Sequence, residues 1–540
     1  MVKYILKRLG LGILSACIVT IIVMVLVFSL IDRDAIFAAD PGYTRRQNNE
    51  QEIYKYERWA DYGYIDYISY NEFLNQEIKA GNLAAEDKAD AKALSRQKNY
   101  EEDGSYLASD DDPLCKEYVT KFVTEYSKSG FTIVRLNPVF YVGTKLANGG
   151  NPQLFAYRDK PLINRIGSFF GNLIHIDSIH YAEEVVGDRG LSLTMHDPAY
   201  GGDKFSPAIM GNGTQYKYLV YFDNQFPFIH FNFIQLRLGT SFSINQGRDV
   251  WETMTAKQDP KISEMTYYPS GVSEESTDDL HTLEYINGSY SQTNVVIYER
   301  FVDDYTSTST TKAGKSQMGY SFTIGIISTL IAYLFGLPIG VLMAKNKNKL
   351  FDKIGTIYIV FIIAVPSLAY IFMFKALGGS LFNLPTTFFL DSERVEKYGS
   401  LIYILPIVSL ALPSIAGLMQ WTRRYMIDQT NSDYVKFARS GGLSEGEIFR
   451  KHIFKNAAIP IVHGIPGAIL GSLTGAIITE RIYTVPGVGN VLTKAINAYD
   501  NSVIVGVTFF YAILSVVAIM LGDVLMLIMD PRISVGTKSR

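Results

Sequence analysis

Six long runs without a charged side chain constrain the fold of this chain more than any other feature. A helix that crosses the hydrocarbon layer needs about 20 apolar residues, and lipid offers no hydrogen-bond partner to an open backbone. We therefore expect six transmembrane helices, kinked where prolines interrupt them. The runs are Leu9–Ile31, Met318–Ala344, Ile354–Phe374, Gly399–Thr422, Asn456–Thr479 and Asn501–Gly522.

Charge divides the chain into two chemically different parts. Residues 32–317 carry 28 basic and 41 acidic side chains, a net charge of −13, whereas the remainder carries 22 and 12, a net charge of +10. Basic residues gather at the N-terminus, in the link 345–353 and in the segment 423–455. Cytoplasmic loops carry an excess of Lys and Arg. This pattern predicts a plasma-membrane protein with both termini in the cytoplasm and residues 32–317 outside the cell.

The first apolar run is expected to stay attached as a helix. A cleaved signal peptide would need a shorter apolar core and small residues before its cleavage site. Here Ile36 and Phe37 stand where those small residues would be. Three regions follow from this: residues 1–31 with the first helix, an extracytoplasmic insert at 32–317, and a core at 318–540. The core helices are expected at about 318–344, 354–374, 399–422, 456–479 and 501–529.

The insert (residues 32–317) is predicted to be a mixed α/β region. The polar, Ala/Glu/Lys-rich stretch 70–94 indicates helix, and the acidic stretch 101–112 indicates a solvated loop. From Phe131 onward the sequence is richer in Val, Ile, Tyr and Phe, which favour strands. The Ser/Thr run 305–311 is expected to be a flexible tether into the second helix.

No pattern in the chain indicates catalysis. The two cysteines, Cys17 in an apolar run and Cys115 in the acidic insert, cannot pair across that boundary. No Ser/His/Asp or Cys/His constellation stands out. We therefore expect a protein that is not an enzyme, with no metal site, no cofactor and no nucleic-acid partner.

The segment between the fourth and fifth helices is more structured than a plain linker. A short helix from Asp433 should end at Gly441 and Gly442, which favour a helix C-terminus. Ser444 with Glu447 three residues later forms a capping-box pattern that opens a second helix. Such a helix–glycine–helix segment, residues 433–447, is called the knob below. By composition alone, it could present a rigid projection to a partner or lie on anionic lipid headgroups.

Residues 433–460 resemble the EAA loop of ABC importer permeases, in the form typical of peptide importers. One position departs from that pattern, because Gly441 stands where a basic residue is usual. The residues that fall on the pattern are Tyr434, Ala438, Arg439, Gly442, Leu443, Ser444, His452, Asn456 and Pro460.

Further motifs strengthen this resemblance. The stretch Glu480–Gly489 is similar to the family's E-x-x-F-x-x-P-G-x-G, with Tyr483 in place of Phe. Asp530-Pro531-Arg532 matches its D-P-R terminus, and Leu238–Ser241 resembles its L-G-x-S element. The long insert, with Tyr221–Phe228, makes the chain look like the enlarged oligopeptide permeases of streptococci and lactococci.

The resemblance implies an α-helical polytopic membrane protein with the type I ABC importer permease fold. It implies a second homologous permease subunit, two cytoplasmic ATPase subunits that bind ATP and Mg, an extracellular lipid-anchored peptide-binding protein and a peptide substrate. Permeases of the same family for dipeptides or for nickel and other metal chelates remain alternatives, and a membrane sensor with an extracellular ligand domain is less favoured. Peptide length and sequence preference cannot be derived from this chain.

The resemblance and the residue types together assign three groups of candidate site residues. An ATPase-coupling group comprises Tyr434, Ala438, Arg439, Gly441, Gly442, Leu443, Ser444, Glu445, His452, Asn456 and Pro460. A candidate outer gate comprises Glu480, Arg481, Pro486 and Gly487, with a plain interfacial Glu480–Arg481 pair as the alternative. Small residues spaced by four permit close helix contact at Gly467, Gly471 and Gly475.

Two acidic features complete the sequence expectations. Asp523 lies near the cytoplasmic end of the last helix, where a charge is costly unless it is paired. We expect a partner for it within the helix bundle. The acidity of the insert provides solubility outside the cell, or else a docking surface for the binding protein.

Overall fold

A computed structural model of the chain describes most of the core and much of the insert. Asp530-Pro531-Arg532, most of the acidic stretch 101–112 and part of Tyr221–Phe228 lie outside the described residues. The described residues are 2–38, 40–94, 110, 112–136, 140–142, 145–147, 152–181, 190–197, 205–222, 227–245, 247–255, 264–267, 273–276, 281, 307–310, 315–389 and 392–529.

Long apolar helices form the core of the described structure. Four of them are long enough to cross a membrane as single elements, and two bent helix pairs qualify as one span each. The single helices are span 1 (Val2–Leu30), span 2 (Gln317–Lys345), span 4 (Ile404–Thr430, preceded by a 3₁₀ turn at Gly399–Tyr403) and span 6 (Asn501–Met529). The bent pairs are span 3a (Leu350–Ala364) with span 3b (Ser367–Phe382), and span 5a (Glu445–His463) with span 5b (Ile465–Tyr483). Short helices Ser392–Tyr398 and Val488–Asn497 precede spans 4 and 6.

The expectation of one helix at 354–374 is wrong. Spans 3a and 3b meet at an angle of 108°. Pro366 has no amide hydrogen and disfavours helical geometry in the residue before it, and Val365 is extended at ψ 128°. The predicted start of the loop at 423 is also too early, because span 4 continues to Thr430.

Glycines let the core helices approach one another closely. A Cβ atom added at Gly336 or Gly340 of span 2 would lie 3.0 or 2.9 Å from a backbone carbonyl of span 4. At Gly12 of span 1 it would lie 2.4 Å from Val516 of span 6. The hydrophobic effect does not drive helices together inside lipid, so close backbone contact is what holds transmembrane helices together.

The first part of the insert is a three-stranded antiparallel sheet covered by helices. Strands β1 (Ile65–Ser69), β2 (Thr132–Leu136) and β5 (Gln153–Asp159) are ordered β1-β5-β2. Helices Tyr70–Lys79 and Pro113–Lys128 bury Leu74, Val119 and Phe122 against it. The other elements of this part are Pro41–Thr44, Asn48–Asp61, Lys88–Ala91, β3 (Phe140–Val142) and β4 (Lys145–Ala147).

The second part of the insert consists mainly of short antiparallel strands. A four-stranded sheet is ordered β10-β9-β8-β7, a ribbon pairs β6 with β11, and a further sheet is ordered β13-β12-β14. The expected mixed α/β insert is therefore confirmed. The bounds are Leu162–Gly171, β6 (Ile174–Ile176), β7 (Gly190–Thr194), β8 (Ala208–Asn212), β9 (Tyr218–Phe222), β10 (Ile229–Phe231), β11 (Ile234–Leu236), Val250–Thr255, β12 (Glu264–Tyr267), β13 (Ser273–Ser276) and β14 (Ser307–Thr310).

Two local expectations for the insert are wrong. Asp110, expected in a solvated loop, is buried and accepts two hydrogen bonds from Arg135 at 2.6 and 2.9 Å. The burial of Asp110 depends on its pairing with Arg135, which is distant in sequence, so local composition cannot predict it. Within the expected flexible tether, residues 307–310 form a strand that pairs with β12. Its threonines are β-branched and therefore suit a strand.

Candidate functional site

The knob folds as its local sequence predicts. A helix runs from Asp433 to Ser440, and Gly442 follows with a φ of +82°, which suits glycine because a side chain is strained there. Ser444 then caps the next helix, and its side chain and that of Glu447 each bond the other's backbone amide. The predicted helix end and capping box are confirmed. The knob is therefore two helix ends joined by a tight turn.

The knob has a small hydrophobic core that it shares with the helices on either side. Val435 and Ala438 of its first helix are buried, and so are Ile448 and Ala457 of span 5a and Met426 of span 4. Span 5a is one helix from Glu445 to His463, with a π-helical stretch at Ile448–Phe454. The second knob helix is the start of span 5a, so the knob and that span are continuous.

Three large apolar side chains of the knob are exposed among its charged residues. Phe437 is 79% exposed, and Tyr434 and Leu443 are exposed to a smaller degree. Sequence motifs alone did not single out Phe437. The helical spacing could have revealed it. Phe437 follows Tyr434 by three residues and lies on the other side of the helix from the buried Val435 and Ala438. A large aromatic side chain at the tip of a projection is typical of an interface anchor.

An ion pair braces the knob across its glycine turn. The Arg439 guanidinium donates to both carboxylate oxygens of Glu445 at 2.6 and 3.1 Å. This bond raises the pKa of Arg439 above its usual range. Both side chains are exposed, so the pair contributes more to geometry than to stability.

The remaining coupling residues lie on span 5a or at the turn. His452 belongs to the π-helical stretch, with its ring centroid 6.4 Å from that of Tyr434. Asn456 and Pro460 follow in the helical part Lys455–His463. The sequence pattern therefore extends from the knob along the helix that carries it.

Glu480 of the candidate outer gate is a buried brace at the other end of span 5b. Its carboxylate accepts hydrogen bonds from the Ser321 hydroxyl at 2.6 Å and from the Asn490 amide at 3.1 Å. A Cβ atom at Gly487 would lie 2.3 Å from the Glu480 carboxyl carbon, which explains the need for glycine there. The carboxylate thus lies at the N-terminus of the helix Val488–Asn497, where a negative charge is favourable.

The other members of the gate group are arranged differently. Arg481 is exposed while Glu480 is buried, and the interfacial pair between them is not formed in the described residues. Pro486 lies in the turn that links span 5b to the helix Val488–Asn497 and is partly buried. The structure brings Glu480 and Gly487 together and leaves Arg481 apart.

Two of the three glycines predicted for helix packing, Gly467 and Gly471, have no close neighbour among the described residues. A Cβ atom at Gly467 or Gly471 would meet nothing within 4 Å. The surroundings of Gly475 lie outside the description. Close contacts within the chain are made instead by other glycines, among them Gly325, Gly336 and Gly340 of span 2.

Asp523 has partners within the bundle, as expected. It bonds Arg8 of span 1, and its other oxygen lies 3.6 Å from His463 Nε2 of span 5a. In a second pair, Arg423 of span 4 donates to both oxygens of the buried Asp352 of span 3a at 2.6 and 2.8 Å. The bundle end that carries the knob is thus held together by charge pairs.

Known proteins resemble this chain in both parts. The family model "Binding-protein-dependent transport system inner membrane component" matches residues 336–535. The oligopeptide transport system permease protein AmiC of Streptococcus pneumoniae is 31% identical over 544 residues, which cover 100% of this chain and 99% of that protein. The insert is therefore part of the likeness to it.

Other relatives match only part of this chain. The dipeptide transport system permease protein DppB of Lactococcus lactis is 32% identical over 214 residues, 39% of this chain and 68% of that protein. The oligopeptide transport system permease protein AppB of Bacillus subtilis is 32% identical over 217 residues, 38% of this chain and 67% of that protein. The chain belongs to the family of oligopeptide permeases, the membrane components of binding-protein-dependent transport systems.

Proposed function

We propose that this chain is one of two permease subunits of an ATP-driven importer that takes up peptides. The observation that carries the proposal is the knob, an exposed projection with a shared core and a helix that continues into span 5. Two ATPase subunits hold ATP and Mg²⁺ and receive the knob in a surface groove. The chain itself carries no catalytic role and no cofactor.

Movement of the knob is the proposed source of alternating access. When the ATPases close on nucleotide, they draw the two knobs of the permease pair together. Span 5a moves with the knob, and span 4 follows because its end shares the same core. Nucleotide biases the two states only through contacts that differ between them. Phe437 is the proposed anchor of this contact.

The proposed topology places the knob end in the cytoplasm. Support comes from the basic link 345–353 and the basic segment 423–455, which both lie at that end of the core. The N-terminus of span 1 lies there as well, because Arg8 bonds Asp523. The insert then faces the outside of the cell. Its net charge of −13 suits a region that is surrounded by water.

The second permease is proposed to cover the open glycine face of span 5b. Gly467 and Gly471 are exposed and leave room for another helix. Small residues at such positions permit close packing between transmembrane helices. The turn 484–490, fixed by Glu480, is proposed to close the outer mouth between the two permeases.

Peptides are the proposed substrate, delivered by an extracellular lipid-anchored binding protein. Support comes from AmiC, DppB and AppB, whose names specify oligopeptide or dipeptide transport. Metal chelates remain the alternative solute class within such importers. The insert is proposed to dock the delivery protein, since it lies on the delivery side.

Co-purification tests the proposal. A tagged chain should bring down a second permease and two ATPases from its native membrane, and peptide uptake by the assembled complex should require ATP. The Gly442→Asp variant should enter the membrane normally and lose ATP-driven uptake. A chain that moves peptide alone, or one that purifies without ATPases, would contradict the proposal.

A further inference from the structure

The insert end of span 6 is clamped to the insert by one buried carboxylate. Asp500 is fully buried, and a single one of its oxygens accepts four hydrogen bonds from the loop 241–244. The donors are the Ser241 hydroxyl at 2.9 Å and the amides of Phe242, Ser243 and Ile244 at 3.1, 3.0 and 3.3 Å. Removing such an acceptor would leave one buried and three partly buried donors without this partner.

The same carboxylate also belongs to span 6. Its second oxygen accepts from the Val503 amide at 3.4 Å, and the Asp500 carbonyl accepts from Ile504. The insert also covers the next part of the helix, because Gly506 lies against the Leu238 carbonyl, where a Cβ would be 2.7 Å away. The loop 241–244 and the start of span 6 therefore form one unit.

The knob end of span 6 packs against the last residue of the helix that carries the knob. Asp523 bonds Arg8 and faces His463, the last residue of span 5a. Next to it, a Cβ atom at Gly522 would lie 2.7 Å from the His463 carbonyl. Span 6 thus contacts span 5 at the point where span 5 bends by 41°.

We propose that span 6 is a connecting rod that transmits movement between the knob and the insert, with Asp500 and Asp523 as the positioning residues at its two ends. This rests on the proposed function, because it assumes that the knob moves. The two carboxylates are 23 residues apart in sequence, roughly 34 Å along a helix. An uninterrupted helix of that length moves as one body, so a displacement of His463 reaches the loop 241–244.

The rod gives the insert a role beyond docking. Coupling between two sites is reciprocal. If movement of the knob changes the state of the insert, then binding of a peptide-loaded delivery protein to the insert shifts the position of the knob in turn. The rod therefore carries the signal that a loaded delivery protein has arrived, and the ATPases respond by hydrolysing ATP.

Hydrogen exchange on the whole complex tests the rod. The complex of both permeases, both ATPases and the delivery protein is placed in nanodiscs. Exchange of the Phe242, Ser243 and Ile244 amides is compared without nucleotide and with a non-hydrolysable ATP analogue. In the unmodified complex the analogue should change these rates at least about five-fold, a difference of about 1 kcal/mol in local opening.

Asp523→Asn is the decisive variant. It should leave the nucleotide-free exchange of 242–244 unchanged and abolish the response to the analogue. Asp523→Glu, which keeps the negative charge, should retain part of that response, and Asp428→Asn, which alters an exposed acid at the end of span 4, should have no effect. Stimulation of ATP hydrolysis by the peptide-loaded delivery protein should follow the same pattern.

Two outcomes overturn the rod. One is a full nucleotide response of 242–244 in Asp523→Asn. The other is a changed nucleotide-free exchange in that variant, which would make Asp523 a purely structural residue. Failure of the proposed function would look different, since the unmodified complex would then lack ATP-dependent uptake altogether.

Discussion

The knob and the insert are held in place by contacts of very different range. The capping box joins Ser444 and Glu447, which are three residues apart, and Arg439 bonds Glu445 six residues away. The insert depends on pairs such as Asp500 with Ser241, which are 259 residues apart. Local sequence therefore specifies the knob almost completely, whereas the position of the insert is set by residues that no local pattern connects.

The largest expected loss of stability lies in the insert, at a long-range pair. Arg135→Met leaves the buried Asp110 without its bidentate partner, and breaking a buried pair in this way costs about 3–5 kcal/mol. Local unfolding free energy measured by hydrogen exchange at residues 113–136 of the full chain should fall by that amount.

The matched control is Arg158→Met, at an exposed pair with Asp66. Exposed pairs contribute about 0–1 kcal/mol, so its effect should be much smaller. Equal effects of the two variants would show that burial of the pair does not set its contribution.

An intermediate effect is expected at the Glu480 brace. Gly487→Ala places a methyl group within 2.3 Å of the buried carboxyl carbon, and such overpacking costs about 1–3 kcal/mol. The melting temperature of the purified complex should fall. The matched control is Gly167→Ala in the insert helix Leu162–Gly171, which has free space and should not lower the melting temperature.

A smaller effect on stability but a strong one on transport is expected at the knob turn. Gly442→Val forces a β-branched residue to a φ of +82°, at a cost of about 1–2 kcal/mol or more. ATP-driven uptake should fall at least about ten-fold because the exposed face is displaced. Gly446→Ala, in an ordinary helical position with free space, should transport normally. Unchanged uptake in Gly442→Val would remove the turn from the mechanism.

The smallest expected effect concerns the cap. Ser444→Ala removes the side-chain acceptor of the capping box and costs about 1 kcal/mol. Hydrogen exchange at the Glu447 amide should rise about five-fold, and Ser444→Thr should restore protection. An unchanged exchange rate would mean that the shared core alone fixes the start of span 5a.

This contrast also explains what the sequence could and could not predict. Charge-free runs predict which segments are apolar and long enough to cross a membrane, because the hydrocarbon thickness fixes that length. The break at Pro366 was expected only as a kink, since proline shows where a helix bends and not by how much. The buried state of Asp110 depends on Arg135, which lies 25 residues away.

The candidate site shows the same division. The turn at Gly442 and the cap at Ser444 follow from local chemistry, and the comparison with known permeases agrees with the motif around them. Phe437 was missed because a motif records residue types and not exposure. The contacts of Glu480 were missed because Ser321 lies 159 residues away.

Crosslinking at the tip of the knob tests the central claim most directly. Phe437→Cys in intact cells, with Ala85→Cys in the exposed insert as the control, is treated either with a short membrane-permeant crosslinker that joins a cysteine thiol to a lysine amine or with an impermeant thiol label. We predict that position 437 crosslinks to an ATPase subunit and escapes the external label, whereas position 85 is labelled from outside. External labelling of position 437, with no crosslink to an ATPase, would contradict the account.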